Sequence, residues 1–198
     1  GFTRDNQDTV QEADQLYQPY VVENKDYGVK ANMVFRDLRL SDLIGFEYSN
    51  KDGQAAADDL MQRLENIRQE LKKEGATGPH LVSIILDGEN AWENYPNDGK
   101  DFLNALYQDL SDSQTIKTVT PSEYFALHPP TKPLDNLFPG AWFSPNYDTW
   151  NGEEEEATAW NYLLKAREAL AEYDIAKRKS VAPEKLAQAI DCMYLAAG

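Results

Sequence analysis

The stretch HLVSIILDG, residues 80–88, constrains this chain more than any other. Residues 81–86 are apolar apart from Ser83. A continuous rather than alternating apolar run predicts a strand covered on both faces, as in a parallel α/β sheet. The run stops at Asp87, followed by Gly88 and Glu89. The residue pattern leaves two readings open there. Asp-Gly is a common turn pair, and the carboxyl end of a strand is also where α/β proteins place the side chains that meet substrate.

The surrounding pattern extends the α/β reading. VKANMVFRD reads as a strand, with Met33, Val34 and Phe35 leading into Arg36 and Asp37. LRLSDLIGF follows as a short helix or turn with Ser41 placed to cap it. Ala57, Leu60, Met61, Leu64, Ile67 and Leu71 recur at spacings of three and four, which predicts an amphipathic helix ended by Gly75 and Gly78-Pro79. Phe102, Leu103, Leu106, Tyr107 and Leu110 form a second such stripe, with Asp98 as its expected cap. TIKTVTPSEYF reads as a third strand ended by Pro121, and residues 1–28 as loop with one short helix.

Residues 126–152 hold five of the ten prolines and two of the four tryptophans. A loop of that length is either functional or disordered, and its aromatic content argues against disorder. Two helices close the chain. Glutamates 153–156 open the first, and Lys177, Arg178 and Lys179 close it, both suiting the helix dipole. Trp160, Leu163, Leu164 and Leu170 mark its expected buried side. Pro183 starts the second, with Leu186, Ile190, Met193, Tyr194 and Ala197 on one face. The expectation is α/β: consecutive βα units over residues 1–125, an aromatic loop at 126–152, and the start of a helical domain at 153–198.

Composition narrows the chemistry to carboxylates. Cys192 is the one cysteine, which excludes an intrachain disulfide and a cysteine metal site. Only His80 and His128 are available to a triad or a zinc site. The chain carries no calcium-loop pattern and no Gly-rich phosphate loop, so neither a metal nor a cofactor is expected. A net charge of −15 disfavours nucleic acid and an anionic membrane surface as partners. No apolar run is long enough to span a bilayer, and the compartment stays open.

Glycoside hydrolysis needs two carboxyl groups, about 5–5.5 Å apart in retaining enzymes and about 6.5–9.5 Å in inverting ones. Asp87 is the candidate catalytic acid, because apolar surroundings and a nearby carboxylate favour its protonated form. Arg36, Asp37 and Glu89 are placed to reach the same rim. Trp92, Tyr95, Trp142, Phe143, Tyr147 and Trp150 are candidate stacking platforms for sugar rings. Each has a structural counterpart: an Arg36–Asp37 ion pair, a solvated Glu89, and tryptophans that pin a loop.

Taken together, MVFRDLRLSDLIGFEYS, LDGENAWENYPNDGKDFLNALYQDL and GAWFSPNYDTWNGEEEEATAWNYLLKAREAL resemble glycoside hydrolase family 57, nearest its amylopullulanase-like branch. The resemblance runs from about residue 17 to the C-terminus. It implies the later part of a distorted (β/α)7 barrel, parallel strands with flanking helices, followed by helices of an appended helical domain. It implies a retaining mechanism on α-glucans such as starch, glycogen or pullulan, without an organic cofactor. Asp87 matches the general acid/base in the family's Asp-Gly-Glu motif. Glu89, Trp92, Arg36, Asp37, Trp142 and Trp150 are the accompanying substrate-binding candidates. The family's glutamate nucleophile and its His-containing N-terminal block have no counterpart here, nor does the tryptophan-rich block expected after YLAAG. The chain is therefore expected to be a fragment, inactive alone, whose partners are an α-glucan and the rest of its own catalytic domain. The alternative is a non-catalytic carbohydrate-binding or structural protein on the same fold.

Overall fold

The computed structural model describes residues 3–88, 92–135, 137, 140–144, 146–177 and 182–197, with only the backbone given for residues 174–177. The chain divides into two compact units, Gly1–Asn136 and Leu137–Gly198.

The first unit is organised by two helices. Helix α3 (Gly53–Lys73) buries Ala56, Ala57, Leu60, Leu64, Ile67 and Leu71, the face its periodicity predicts. Asp52 caps it, accepting from the amide of Ala55. Amides of Gly75 and Ala76 close it by bonding back to the carbonyls of Lys72 and Leu71. Helix α4 (Lys100–Asp112) packs Phe102 and Leu106 against α3. The two approach so closely at their N-terminal ends that a Cβ on Gly53 would lie 2.7 Å from the backbone nitrogen of Phe102. Tyr107, expected in the buried stripe, is 59% exposed.

The cap of α4 also differs from expectation. Asp98 sits at φ 53°, its carboxylate beside Lys100, and Gly99 is the N-cap at φ 73°. Gly99 is required there twice over, by its left-handed backbone and by the ring of Trp92, 2.7 Å from where a Cβ would be.

Upstream, a short helix α1 (Ala13–Leu16) leads into β1 (Tyr20–Asn24), which pairs antiparallel with β2 (Val29–Met33) in the register Tyr20↔Met33 to Asn24↔Val29. Strand β1 falls where the sequence predicts loop. Its hairpin turn is held by Asn24 Oδ1, which accepts from the amides of Asp26 and Tyr27. Helix α2 (Leu38–Asp42) follows, capped by Asp37 rather than by Ser41.

Among the described residues β1–β2 is the one ladder, so the barrel is not shown and the unit is helix-rich. The two blocks predicted as parallel strands do lie parallel, but meet in a single bridge, Arg36↔Ser83. The reason is local. At the next ladder position the amide of Ile85 donates to Ser41 Oγ and its carbonyl accepts from Arg36 Nε, so side chains occupy both groups that a neighbouring strand would use. Val82, Ile84 and Leu86 are half-buried against the core, while Ile85 is exposed.

Residues 115–120, the third predicted strand, form no strand, and helix α5 (Pro121–Leu127) begins at the proline expected to end it. Thr120 and Glu123 form a reciprocal capping box with Pro121 in the first turn. This Thr-Pro-Ser-Glu signature starts the helix just past the β-branched residues.

In the second unit, α6 (Asp148–Asn151) precedes α7 (Glu154–Lys177), which pairs with α8 (Pro183–Ala197). Glu156 reaches back to the amides of Gly152 and Glu153, consistent with acidic residues at a helix start. Trp160 and Leu164 on α7, and Tyr194 on α8, are exposed rather than buried. Leu186, Ile190 and Met193 are half-buried. Arg178 and Lys179, expected at the end of α7, lie outside the described residues.

Candidate active site

Asp87 is solvent-exposed at the end of residues 81–86. That segment is fixed along its length by other elements. The amide of Leu81 donates to the carbonyl of Tyr17 at 2.8 Å, and the amide of Asp37 donates to the carbonyl of Ser83 at 2.9 Å. Ser41 Oγ accepts from the amide of Ile85 at 3.2 Å and donates to the carbonyl of Asp37 at 2.7 Å. Arg36 Nε donates to the carbonyl of Ile85 at 2.9 Å. The acid thus leaves a backbone held two residues earlier at both amide and carbonyl.

Asp37 lies in the scaffold beneath these strand ends, with no exposed surface. Its Oδ1 accepts from the amide of Leu40 and from Arg4, and its Oδ2 accepts from the Tyr17 hydroxyl at 2.5 Å. Burial, with the Asp37 carboxylate adding to it, pushes the Tyr17 phenol well above its ordinary value. Arg36 pairs with Asp42 at 3.0 Å and not with its neighbour Asp37, which takes Arg4 instead. The Arg36–Asp37 ion pair, the structural alternative for these two residues, is therefore replaced by Arg36–Asp42 and Arg4–Asp37. The two side chains leave adjacent residues of an extended segment, where successive side chains point to opposite faces.

Trp92 is half-buried, its ring 5.4 Å from that of Tyr95 and against Gly99. Tyr95 is anchored through its hydroxyl to the carbonyl of Ile44. Glu89 lies outside the described residues. Trp142 and Trp150 belong to the second unit. Trp142 is exposed and edge-on to Phe143, and Trp150 is exposed, its carbonyl accepting from Trp160 Nε1.

Among the described residues no cluster of three His, Cys, Asp or Glu side chains could hold a metal ion, and no helix is long and apolar enough to cross a membrane. A cavity of about 900 Å³ opens between α3, α4 and the extended segments, lined by Leu64, Ile67, Leu71, Leu106, Ile116 and similar side chains. Its lining includes none of the candidate site residues. Polar side chains such as Arg68, Lys72, His80 and Lys117 also reach it, and it reads as an open part of the core.

Sequence reasoning missed Tyr17, Arg4, Ser41 and Asp42 as parts of this arrangement. Ser41 and Asp42 carried a signal, being polar residues in the mostly apolar block that follows Asp37. Tyr17 and Arg4 carried none.

A carboxylate at the end of a segment that lies parallel to its neighbour, across an intervening helix, is the layout α/β enzymes use to present acids to substrate. The match to known families gives that layout a definite class. Residues 2–135 match the model of glycosyl hydrolase family 57, and the chain belongs to that family. The match contains Arg36, Asp37, Asp87, Glu89 and Trp92, and ends before the second unit with Trp142 and Trp150. A search of curated proteins returned no match.

Proposed function

We propose that this chain supplies the acid/base half of the active site of a retaining, α-glucan-active glycoside hydrolase of the amylopullulanase-like branch. Asp87 is the proton donor to the leaving glycosidic oxygen. It then takes the proton from the incoming water or sugar hydroxyl as the glycosyl-enzyme is resolved. The nucleophile in this reading is a glutamate on a preceding strand of the same catalytic domain, within a (β/α)7 barrel. By itself the present segment is inactive.

One observation supports this most: within the stretch matched to the family, Asp87 is exposed at the end of a backbone held in place by four hydrogen bonds. Trp92 serves as a stacking platform and Glu89 as a substrate-binding carboxylate. The partners are an α-1,4- or α-1,6-linked glucan and the remainder of the catalytic domain, with neither nucleic acid nor membrane involved.

The test is Asp87→Asn in the full-length gene product. Hydrolysis of a maltooligosaccharide should fall by about 10²–10⁴-fold while binding of the same sugar is retained. Wild-type turnover by this variant would refute the assignment.

A further inference from the structure

We propose that Arg36, Ser41 and Asp42 are positioning residues for Asp87, gripping the peptide groups of Ile85 so that the acid meets the glycosidic oxygen in line. This rests on the reading of Asp87 as the acid/base.

The geometry is specific. Ile85 lies two residues before Asp87, close to 7 Å of extended chain. In a complete parallel ladder both of its backbone polar groups would bond to a neighbouring strand. Here the amide goes to Ser41 Oγ and the carbonyl to Arg36 Nε. Both side chains are themselves fixed. Ser41 is fully buried and tied to the carbonyl of Asp37. Arg36 is held from its far side by Asp42 Oδ1. Side-chain bonds can take a direction that ladder bonds cannot, so the strand end is aimed by the side chains of Arg36 and Ser41 and not by a backbone ladder. Asp42 does not touch residues 81–86 in this network, and its effect on them passes through Arg36.

Proton donation depends steeply on placement, and an error near 1 Å can cost about 10²-fold. Loosening this grip should therefore damage the chemical step and leave substrate affinity in place.

The test uses the full-length gene product with the variants Arg36→Met, Ser41→Ala and Asp42→Asn. Each is assayed on a maltooligosaccharide and on a dinitrophenyl α-maltoside, whose leaving group departs without a proton. Circular dichroism and the thermal midpoint check that each variant is folded. Arg36→Met keeps the aliphatic stem, and Asp42→Asn keeps its shape. The expected result is a loss of about 10–100-fold in kcat/KM on the oligosaccharide with binding of the sugar retained, and a near-normal kcat/KM on the dinitrophenyl substrate, whose first step needs no acid. Equal losses on the two substrates, or weakened binding of the sugar, overturn the inference. Asp87→Asn in the same assays separates the two readings. If it shows no dependence on leaving group, the acid/base assignment fails. If it does and the three variants do not, only the positioning role fails.

Discussion

The hydroxyl of Tyr17 donates to Oδ2 of Asp37 at 2.5 Å, and neither side chain has any exposed surface. The bond joins the end of α1 to the cap of α2. Through the carbonyl of Tyr17 and the amide of Asp37 it also reaches the backbone before Asp87, at Leu81 and Ser83. Removing it with Tyr17→Phe leaves a buried carboxylate oxygen short of one donor. The expected cost is about 1–3 kcal/mol, read as a lower urea midpoint at unchanged m-value. An unchanged midpoint would show that Arg4 and the Leu40 amide suffice for Asp37.

Alkaline pH should unfold the chain through its buried phenols. Burial raises Tyr17 and Tyr48, with their partners Asp37 and Asp59 opposing the charged form, and raises Tyr95 to about 12. Below the ordinary phenol value of 10.0 both folded and unfolded chains hold these protons, and stability is unaffected. Above it the unfolded chain releases protons the folded chain keeps, so stability falls as pH rises. A denaturation series should show a flat region below that pH and a declining one above it. Tyr17→Phe should make the decline shallower. A decline of the same slope in Tyr17→Phe would contradict the part assigned to this buried ring.

Gly53 separates steric from conformational effects at the α3–α4 contact. Alanine is the better helix former, by about 1 kcal/mol. Its Cβ would nonetheless meet the backbone of Asp101 and Phe102, which cannot rotate away. The clash should win, so Gly53→Ala is expected to destabilise by about 1–3 kcal/mol in thermal or chemical melts. A stabilised variant would mean that the two helices separate at little cost.

Glu74, just past the end of α3, caps α1 from outside it. Its two carboxylate oxygens accept from the amides of Ala13 and Asp14, each at 3.0 Å. Ala13 is fully buried, so Glu74→Ala leaves its amide without that partner. The expected loss is about 1–2 kcal/mol. Hydrogen exchange should locate the loss in residues 13–17, and a uniform change across the unit would place the effect elsewhere.

Parts of this fold were legible because their causes are local. The stripe from Ala57 to Leu71 states a helix and its buried face, since residues three and four apart share a side whatever surrounds them. Thr120 and Glu123 also state a helix start, whereas the β-branched run before them reads as a strand and finds no partner strand among the described residues. The exposure of Tyr107, Trp160 and Leu164 was not legible, because periodicity says which residues share a face and not whether another element covers it.

Of the candidate site, the sequence by itself determined Asp87 as the acid following an apolar run, and family 57 through the blocks around it. The roles of its neighbours were decided by tertiary structure alone. Asp37 reads as a rim carboxylate in sequence, and is a buried cap because Tyr17 and Arg4, 20 and 33 residues away, converge on it. Arg36 reads as its partner, and instead holds the carbonyl of Ile85, 49 residues on. Periodicity and local motifs report contacts within a turn or two of chain. Hydrogen bonds that close across such distances exist only once the intervening helices have packed.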